Sequence, residues 1–558
     1  MYDGILLSHV RKSIFLVFLA VLTVFLSGFL SIALGKIIGH SVQSISDGGI
    51  GGSLLLMIVF FSLFLSLIVS FRGIFSGLLG VRIAEGLLFD LYGVLIKANL
   101  ETINRNARLI PTILGSDVMV LQNFFGSGGP VLLRNIMTFL GSLIILFYTE
   151  KTLFLYLILS IPVILLLLLL FGVNVKRLSF IATGKSDKVY LEIKESLSNI
   201  QIIKAFLKER FFFNRVFKLT KEFSRSFVRY VIIRSVFIGI VMALVFLGVS
   251  IFIDFGVGSV LDNRINSATL SEFIFYALLA STSIGRIMDL YPDLQQVSNA
   301  HARIENLYKD LFGNQEDETT GQHVEQFDEL EFKDVQFSYK SSEDNVVINN
   351  LSFKINRGEH VAFVGASGGG KSTILALILG FYSACAGCIT INGIPVSNLS
   401  RACVRSLFAW VPQELSVISG NLKENVCMKS EGNSDNDDHF ADICAAANIH
   451  DLPKNTDISD LSRGQKQRIN IARAIFADRQ VILLDEATSS LDRSNEKDID
   501  SIIAAMPRDK TVIMVAHRFS GIKNMDKIIV IKKGKVEAMG THEELLSASA
   551  FYRQMAEE

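Results

Sequence analysis

Up to about Leu290 the chain is dominated by long apolar runs, whereas beyond Asp310 short apolar stretches alternate with mixed polar segments. A helix needs ~20 mostly apolar residues to cross a bilayer. Six segments qualify: Ile14–Gly35, Ser53–Arg72, Val131–Thr149, Leu153–Gly172, Val231–Phe255 and Leu270–Leu290. A signal peptide is the alternative reading of the first, since Arg11 and Lys12 precede it, but the run is longer than a signal core and no small-residue cleavage site follows. Spans two and three, and spans four and five, are each separated by about 58 residues that read as helix. Within Lys188–Phe206 the residues Tyr190, Ile193, Leu197, Ile200 and Ile203 recur at three- and four-residue steps, which predicts an amphipathic helix. Helices of this length would run on past the bilayer as struts rather than form separate domains.

Basic residues orient the spans. Arg11 and Lys12 precede the first, and Lys176 to Arg229 is dense in Lys and Arg, while the loops after spans one, three and five carry almost none. The positive-inside rule therefore puts the N-terminus and, after six crossings, the C-terminal part in the cytoplasm. The pattern predicts a multi-pass integral protein, most simply of a bacterial cytoplasmic membrane.

Composition adds little beyond this. Charged residues make up 19% of the 558, below the quarter usual for soluble domains, but the deficit is confined to the apolar part. A formal net charge of zero gives no indication of nucleic acid as a partner. All five cysteines lie beyond residue 380, which fits a reducing compartment, and Cys385–Cys388 reads as a chance pair in a loop rather than a metal site.

The chemistry is concentrated in the C-terminal part. His360–Val364 is strand-like and leads into Gly365–Ser372 (GASGGGKS), a phosphate-binding loop opening a helix. Gly365, Ser367, Gly368, Gly370, Lys371, Ser372 and Thr373 form its candidate nucleotide-binding set, with Lys371 directed to the β/γ-phosphates and Ser372 to Mg²⁺. A second apolar strand, Val481–Leu484, ends in Asp485, placed to hold Mg²⁺, and Glu486, placed to polarise the attacking water.

Between them, Leu461–Arg468 (LSRGQKQR) resembles the signature motif of the ABC (ATP-binding cassette) ATPases, and further matches follow in order. Tyr339 stands at the adenine-stacking position, Gln413 in Val-Pro-Gln at the Q-loop, Ser490-Leu491-Asp492 at the D-loop and His517 at the switch histidine. Ile202–Arg210 and Ser267–Leu307 are similar to the second intracellular loop and last span of six-span exporters of that family, so the resemblance covers nearly the whole chain. It implies an all-α six-helix membrane domain (1–305), a linker (306–327) and an α/β P-loop ATPase domain (328–558). It also implies a dimer, homodimeric or heterodimeric, with ATP sandwiched between the P-loop of one cassette and Ser462, Gly464 and Gln465 of the other. Gln413 would sense Mg²⁺ and the γ-phosphate, and His517 would contact the γ-phosphate in the transition state.

Two positions depart from the pattern: Arg463 stands where glycine is common, and Leu452–Leu461 is short before the signature. The first bears on kinetics, the second on how nucleotide state reaches the membrane part. No peptidase of the kind fused to some peptide exporters precedes the first span; the short external loops leave no docking domain for a binding protein, which favours export. Lipid-linked saccharides, peptides and drugs all stay open as cargo, with membrane lipids as neighbours. Arg72, Arg134, Arg234 and Arg286 fall at a similar depth near the inner ends of their spans, either snorkelling to lipid phosphates or forming a positive ring for an anionic substrate. Asp254 and Asp289 are further candidates. An ATP-gated channel on the same scaffold is the alternative function, disfavoured because Glu486 and His517 are both present; a soluble cassette ATPase does not accommodate six spans.

Overall fold

A computed structural model describes residues 5–46, 52–261, 265–316, 320–339, 346–413, 415–428, 437–458, 461–485, 502, 507, 509–516 and 521–557. They form two compact units, Met1–Tyr92 with Leu109–Leu307, and Gly93–Arg108 with Tyr308–Glu558.

The first unit is helical. In chain order come α1 (Ile5–Lys12), α2 (Ile14–Ser46), α3 (Gly52–Lys97), α4 (Leu100–Asn106, in the second unit), α5 (Ile110–Thr112), α6 (Val118–Asn123) and α7 (Gly129–Thr149). α8 (Lys151–Ser198), α9 (Ile200–Ala205), α10 (Glu209–Leu261), α11 (Ser267–Asp289) and α12 (Tyr291–Gly313) follow. Among the described residues four stretches are long and apolar enough to cross a membrane: Ile14–Ile45, Leu56–Lys97, Ile110–Thr149 and Ser267–Ile287. The expected fourth and fifth spans fall within α8 and α10, where many side chains lie outside those described. At ~1.5 Å per residue the 48 residues of α8 and 53 of α10 extend to about 70–80 Å, more than twice the hydrocarbon thickness.

One expected helix is broken. The Lys188–Phe206 stripe is interrupted between α8 and α9, where Ser198 Oγ donates to the Lys194 carbonyl and Asn199 Nδ2 to that of Glu195. Such side-chain bonds compete with helix continuation, and Leu207 at φ 50° then turns the chain into α10. Of the stripe only Ile203 is buried; Tyr190, Ile193, Leu197 and Ile200 are exposed.

α2, α7 and α11 pack on one another, and α8 packs on α10. Small residues permit the close approaches: Gly35 faces the Tyr276 ring, whose hydroxyl donates to the Ile32 carbonyl at 3.0 Å, and Thr138 and Ser283 share a 2.8 Å hydrogen bond. Elsewhere Arg303 makes a bidentate pair with buried Asp117 at 2.6 and 2.7 Å, and that contact holds the guanidinium pKa above its ordinary value.

The second unit contains two sheets. β1 (Glu329–Ser338), β2 (Val346–Asn356), β4 (Ala386–Ile391) and β5 (Ile394–Pro395) form an antiparallel sheet in the order β2-β1-β4-β5. β3 (His360–Val364), β6 (Phe408–Val411), β7 (Val481–Asp485), β8 (Thr511–Val515), β9 (Lys527–Lys532) and β10 (Lys535–Gly540) form the other, in the order β10-β9-β3-β8-β7-β6, parallel except for β10. Successive strand residues serve opposite faces. Val361, Phe363, Leu483 and Ile513 join the core shared with the antiparallel sheet, whereas Ala362, Val364, Leu484 and Val512 join the core on the other side. α13 (Lys371–Ile378) and α14 (Arg401–Leu407) pack into the core shared with the antiparallel sheet, while α15 (Leu422–Cys427), α16 (Asp437–Ala446) and α17 (Arg463–Phe476) enclose a third core; α18 (His542–Ala548) and α19 (Ala550–Glu557) close the chain. Cys388 lies in β4 rather than in a loop.

Gly93–Arg108 belongs to this unit by specific contacts. Ala98 bridges Gln315, the Asn99 amide donates to the Asn314 carbonyl at 3.0 Å, and Arg105 and Asn106 both donate to the Asp310 carboxylate, at 2.5 and 2.7 Å. Burial acts to raise the Asp310 pKa, but hydrogen bonds from Arg105 and Asn106 and the Arg105 charge together hold it below the usual carboxylate range. A folded value below the unfolded one, about 4, gives stability that is complete at neutral pH and lost as the pH falls through the folded value. Asp310→Asn should therefore lower the melting temperature at pH 7, with the difference from the native chain shrinking as the pH falls through the folded value; a pH-independent difference would exclude this account.

Candidate functional site

β3, β7 and β8 run parallel and in register, Asp485 opposite Val515 and Phe363 opposite Val515 across β8, so their C-terminal ends lie along one sheet edge. In open α/β sheets this edge is where ligands bind. The loop after β3 turns there through Gly368 at φ 76° and Gly370 at φ 96°, left-handed conformations that a side chain would strain. A Cβ at Gly370 would also come within 2.7 Å of Ile348. α13 begins at Lys371, whose buried Nζ donates to the Gly365 and Ala366 carbonyls at 2.7 and 3.0 Å. The ammonium thus lies folded into the loop, ringed by its own backbone.

Ser372 Oγ donates to Asp485 Oδ1 at 3.0 Å, and Asp485 is buried at the end of β7. Thr373 Oγ1 shares a 3.1 Å hydrogen bond with the hydroxyl of Tyr339, which follows β1. The structure thus joins Tyr339, Lys371, Ser372, Thr373 and Asp485 into one site with Gly365 and Gly370. Gln413 lies two residues beyond Val411, which pairs with Leu484, so it stands at the same edge as Asp485 and is exposed there. Ser367 and Gly368 occupy the exposed crest of the loop. Glu486, Ser490, Leu491, Asp492 and His517 lie outside the described residues.

The hydroxyl of Ser372 and the carboxylate of Asp485 are hard oxygen ligands close enough to share one small cation, which suits Mg²⁺. Among the described residues no cluster of three or more His, Cys, Asp or Glu could cage a metal alone, so such an ion would take its other ligands from phosphate oxygens and water.

Ser462 caps α17. Its Oγ accepts from the Gln465 amide at 3.3 Å, and the Gln465 side-chain oxygen accepts from the Ser462 amide at 2.9 Å, a reciprocal capping box. Arg463 is exposed in the first turn and takes no part in the cap, and Gly464 follows it. The short segment before the signature is bound to the start of α15: the Leu422 and Lys423 amides donate to the Thr456 and Lys454 carbonyls, and the Ile458 amide to that of Gly420.

The four arginines are not all placed alike. Arg234 pairs with Asp289 at 3.3 Å on the surface, and Asp254 is exposed on α10. Arg72, Arg134 and Arg286 are close enough to repel one another, and Arg72 Nη1 and Arg134 Nε are buried without a hydrogen-bond partner. The Arg134 stem packs at Gly28, where a Cβ would lie 3.8 Å from its Cγ. Gly28 is about midway along α2, leaving roughly 20 Å of helix on either side. Exposed Phe15, Phe18 and Leu22 precede it and exposed Phe29 follows, so the Arg134 stem lies beside a mainly apolar helix, whereas Arg286 is in the last turn of α11, at the end of its span.

Sequence reasoning missed Asn104 and Tyr382. Asn104 Nδ2 donates to the Tyr382 hydroxyl at 3.2 Å, and Tyr382 meets Tyr339 edge to face. Only the aromatic pair Phe381–Tyr382 after α13 could have drawn attention to the latter.

The family model for the ABC transporter transmembrane region matches residues 14–285, and that for ABC transporter matches 348–489. The chain is 31% identical to the "Putative export ATP-binding/permease protein" of Rickettsia bellii, over 98% of this chain and 96% of that protein. It is 30% identical to the uncharacterized ABC transporter ATP-binding protein YknV of Bacillus subtilis, over 80% of this chain and 75% of that one. The ABC transporter B family member 1 of Dictyostelium discoideum is 32% identical over 78% of this chain and 48% of its own length.

The cap separates two roles for Ser462. Ser462→Ala should cost about 1 kcal/mol of helix stability and Ser462→Gly only a few tenths, whereas both should lower ATPase activity alike if the hydroxyl reads phosphate. Melting temperature and turnover measured on both variants decide it; turnover that tracks stability would reduce the serine to a cap.

Proposed function

The chain belongs to the ABC transporters, an ATPase coupled to transport and joined to its own membrane region, and from that premise we propose that two copies assemble to export an anionic substrate by alternating access. The observation carrying the ATPase part is the Ser372–Asp485 hydrogen bond beside the buried Lys371. Bound Mg²⁺ would supply charge neutralisation between the β- and γ-phosphates. Around it Lys371 binds the phosphates, Tyr339 stacks on adenine, Gln413 orients water and senses the γ-phosphate, Glu486 takes the proton from the attacking water, and His517 steadies the transition state. Gly365, Ser367, Gly368, Gly370 and Thr373 complete the cradle.

Two features support a second copy. The α17 N-terminus presents Ser462 to solvent, with Gly464 and Gln465 half-buried beside it, as a phosphate site supplied to a partner's ATP would. Phe180, Tyr190, Leu191 and Leu197 are exposed on α8, roughly 10–40 Å of helix beyond the apolar run that ends at Gly172, where for most of that length lipid cannot cover them. With the N-terminus cytoplasmic, as the basic residues predict, both ATPase units face the ATP pool of a bacterial cell.

The trio Arg72, Arg134 and Arg286 supports the anionic cargo. Like charges gathered in apolar surroundings, with donors left unsatisfied, are costly unless an anion completes them. Snorkelling fits Arg134 less well, because apolar helix extends on both sides of Gly28, against which its stem packs.

Glu486→Gln should reduce turnover at least a hundredfold and accumulate an ATP-bound dimer on size-exclusion chromatography; normal turnover would refute the general base. Arg72→Gln, Arg134→Gln and Arg286→Gln should each abolish stimulation of the ATPase by anionic amphiphiles in a screen against neutral and cationic ones. Stimulation intact in all three would sink the anion site. Arg234→Gln, which breaks a surface pair with Asp289, should affect it least.

A further inference from the structure

Tyr339 is held at three points. Its hydroxyl bonds Thr373 Oγ1 at 3.1 Å, Phe337 packs against it at a centroid distance of 4.9 Å, and Tyr382 meets it at 5.2 Å with the rings 89° apart. Phe337 is buried and also backs Tyr382 at 5.6 Å, so neither tyrosine can turn far without displacing the other. Tyr382 has a second attachment: its hydroxyl accepts a hydrogen bond from Asn104 Nδ2 at 3.2 Å. Burial pushes the Tyr382 phenol up, so it stays neutral at physiological pH. Asn104 lies in α4, on the segment Gly93–Arg108 that connects α3 to the rest of the membrane helices and is anchored separately through Asp310.

We propose that Tyr382 is a positioning residue for the adenine site, and that it passes occupancy of that site directly to the Gly93–Arg108 segment through Asn104. This rests on the reading of Tyr339 as the adenine platform. A base stacking on Tyr339 sets the angle of that ring. Through the edge-to-face contact it then sets the position of Tyr382 and the hydrogen bond that Asn104 makes. The route starts from the base and is separate from any signal that Gln413 takes from the γ-phosphate. Its consequence is specific: a nucleotide with a base and a bare triphosphate chain fill the same phosphate cradle but differ in what they do to α4.

The test is amide hydrogen exchange of the full chain in lipid nanodiscs, with a non-hydrolysable ATP analogue or tripolyphosphate, each with Mg²⁺ and at saturation. The analogue should slow exchange within residues 93–108 beyond the effect of tripolyphosphate. That base-dependent part should be lost in Tyr382→Phe, which keeps the ring and removes only the hydroxyl, and equally in Asn104→Ala. The double variant should lose no more than either single one. Equal protection by the two ligands in the native chain, or base-dependent protection intact in both single variants, would overturn the relay. Tyr339→Ala isolates the reading beneath it: analogue affinity should fall roughly tenfold, and unchanged affinity would remove the adenine platform itself, whatever the other variants do.

Discussion

The parallel register of β3, β8 and β7 is the constraint from which the catalytic half follows. These strands are buried along their whole length, and alternate residues serve two different cores. A slip of one residue would exchange Phe363 and Leu483 with Ala362 and Leu484 between cores built for different volumes. With the register held, polar groups can emerge only where the strands stop. The phosphate loop leaves β3 and Asp485 ends β7 at the same edge, and the 3.0 Å Ser372–Asp485 bond spans the one strand between them. Lys371 can be buried there because the carbonyls of Gly365 and Ala366 accept hydrogen bonds from its ammonium group.

The helical unit obeys a different constraint. Within a bilayer the backbone must satisfy itself, so association relies on small residues and on polar side chains that find partners across helices. Gly35 beneath Tyr276 and the Thr138–Ser283 bond fit that requirement. Arg72 and Arg134 depart from it, each with a buried nitrogen left without a partner, as do the neighbouring polar groups of Ser76, Asn135 and Ser142. Arg234, with Asp289 beside it, shows what a merely paired arginine on these helices looks like.

Gly93–Arg108 is informative because it packs with the sheet-containing unit although the body of α3 before it and α5 after it belong to the helical one. Its attachment is polar: two backbone bonds to Asn314 and Glu316, the Asp310 carboxylate and the Tyr382 hydroxyl. Polar, partly exposed contacts of this kind are individually weak and easily rearranged. They contrast with the dry cores on either side of the sheet.

The sequence by itself determined the class of each half, four of the six expected spans, and the phosphate loop with Asp485. Those features depend on local composition, on period and on short-range spacing, each legible along the chain. The interruption after Ser198 escaped it because a three- and four-residue stripe continues through Asn199 while hydrogen bonds to the carbonyls of Lys194 and Glu195 break the helix. Only the tertiary structure separated Arg234 from the other three arginines, since equal distance from a span's end does not say which side of a helix faces which neighbour. The same holds for Asn104, Tyr382 and Asp310, polar residues with no motif to mark them. They are joined by contacts across as many as 278 positions of chain, and such long-range proximity is decided by packing, not by sequence spacing.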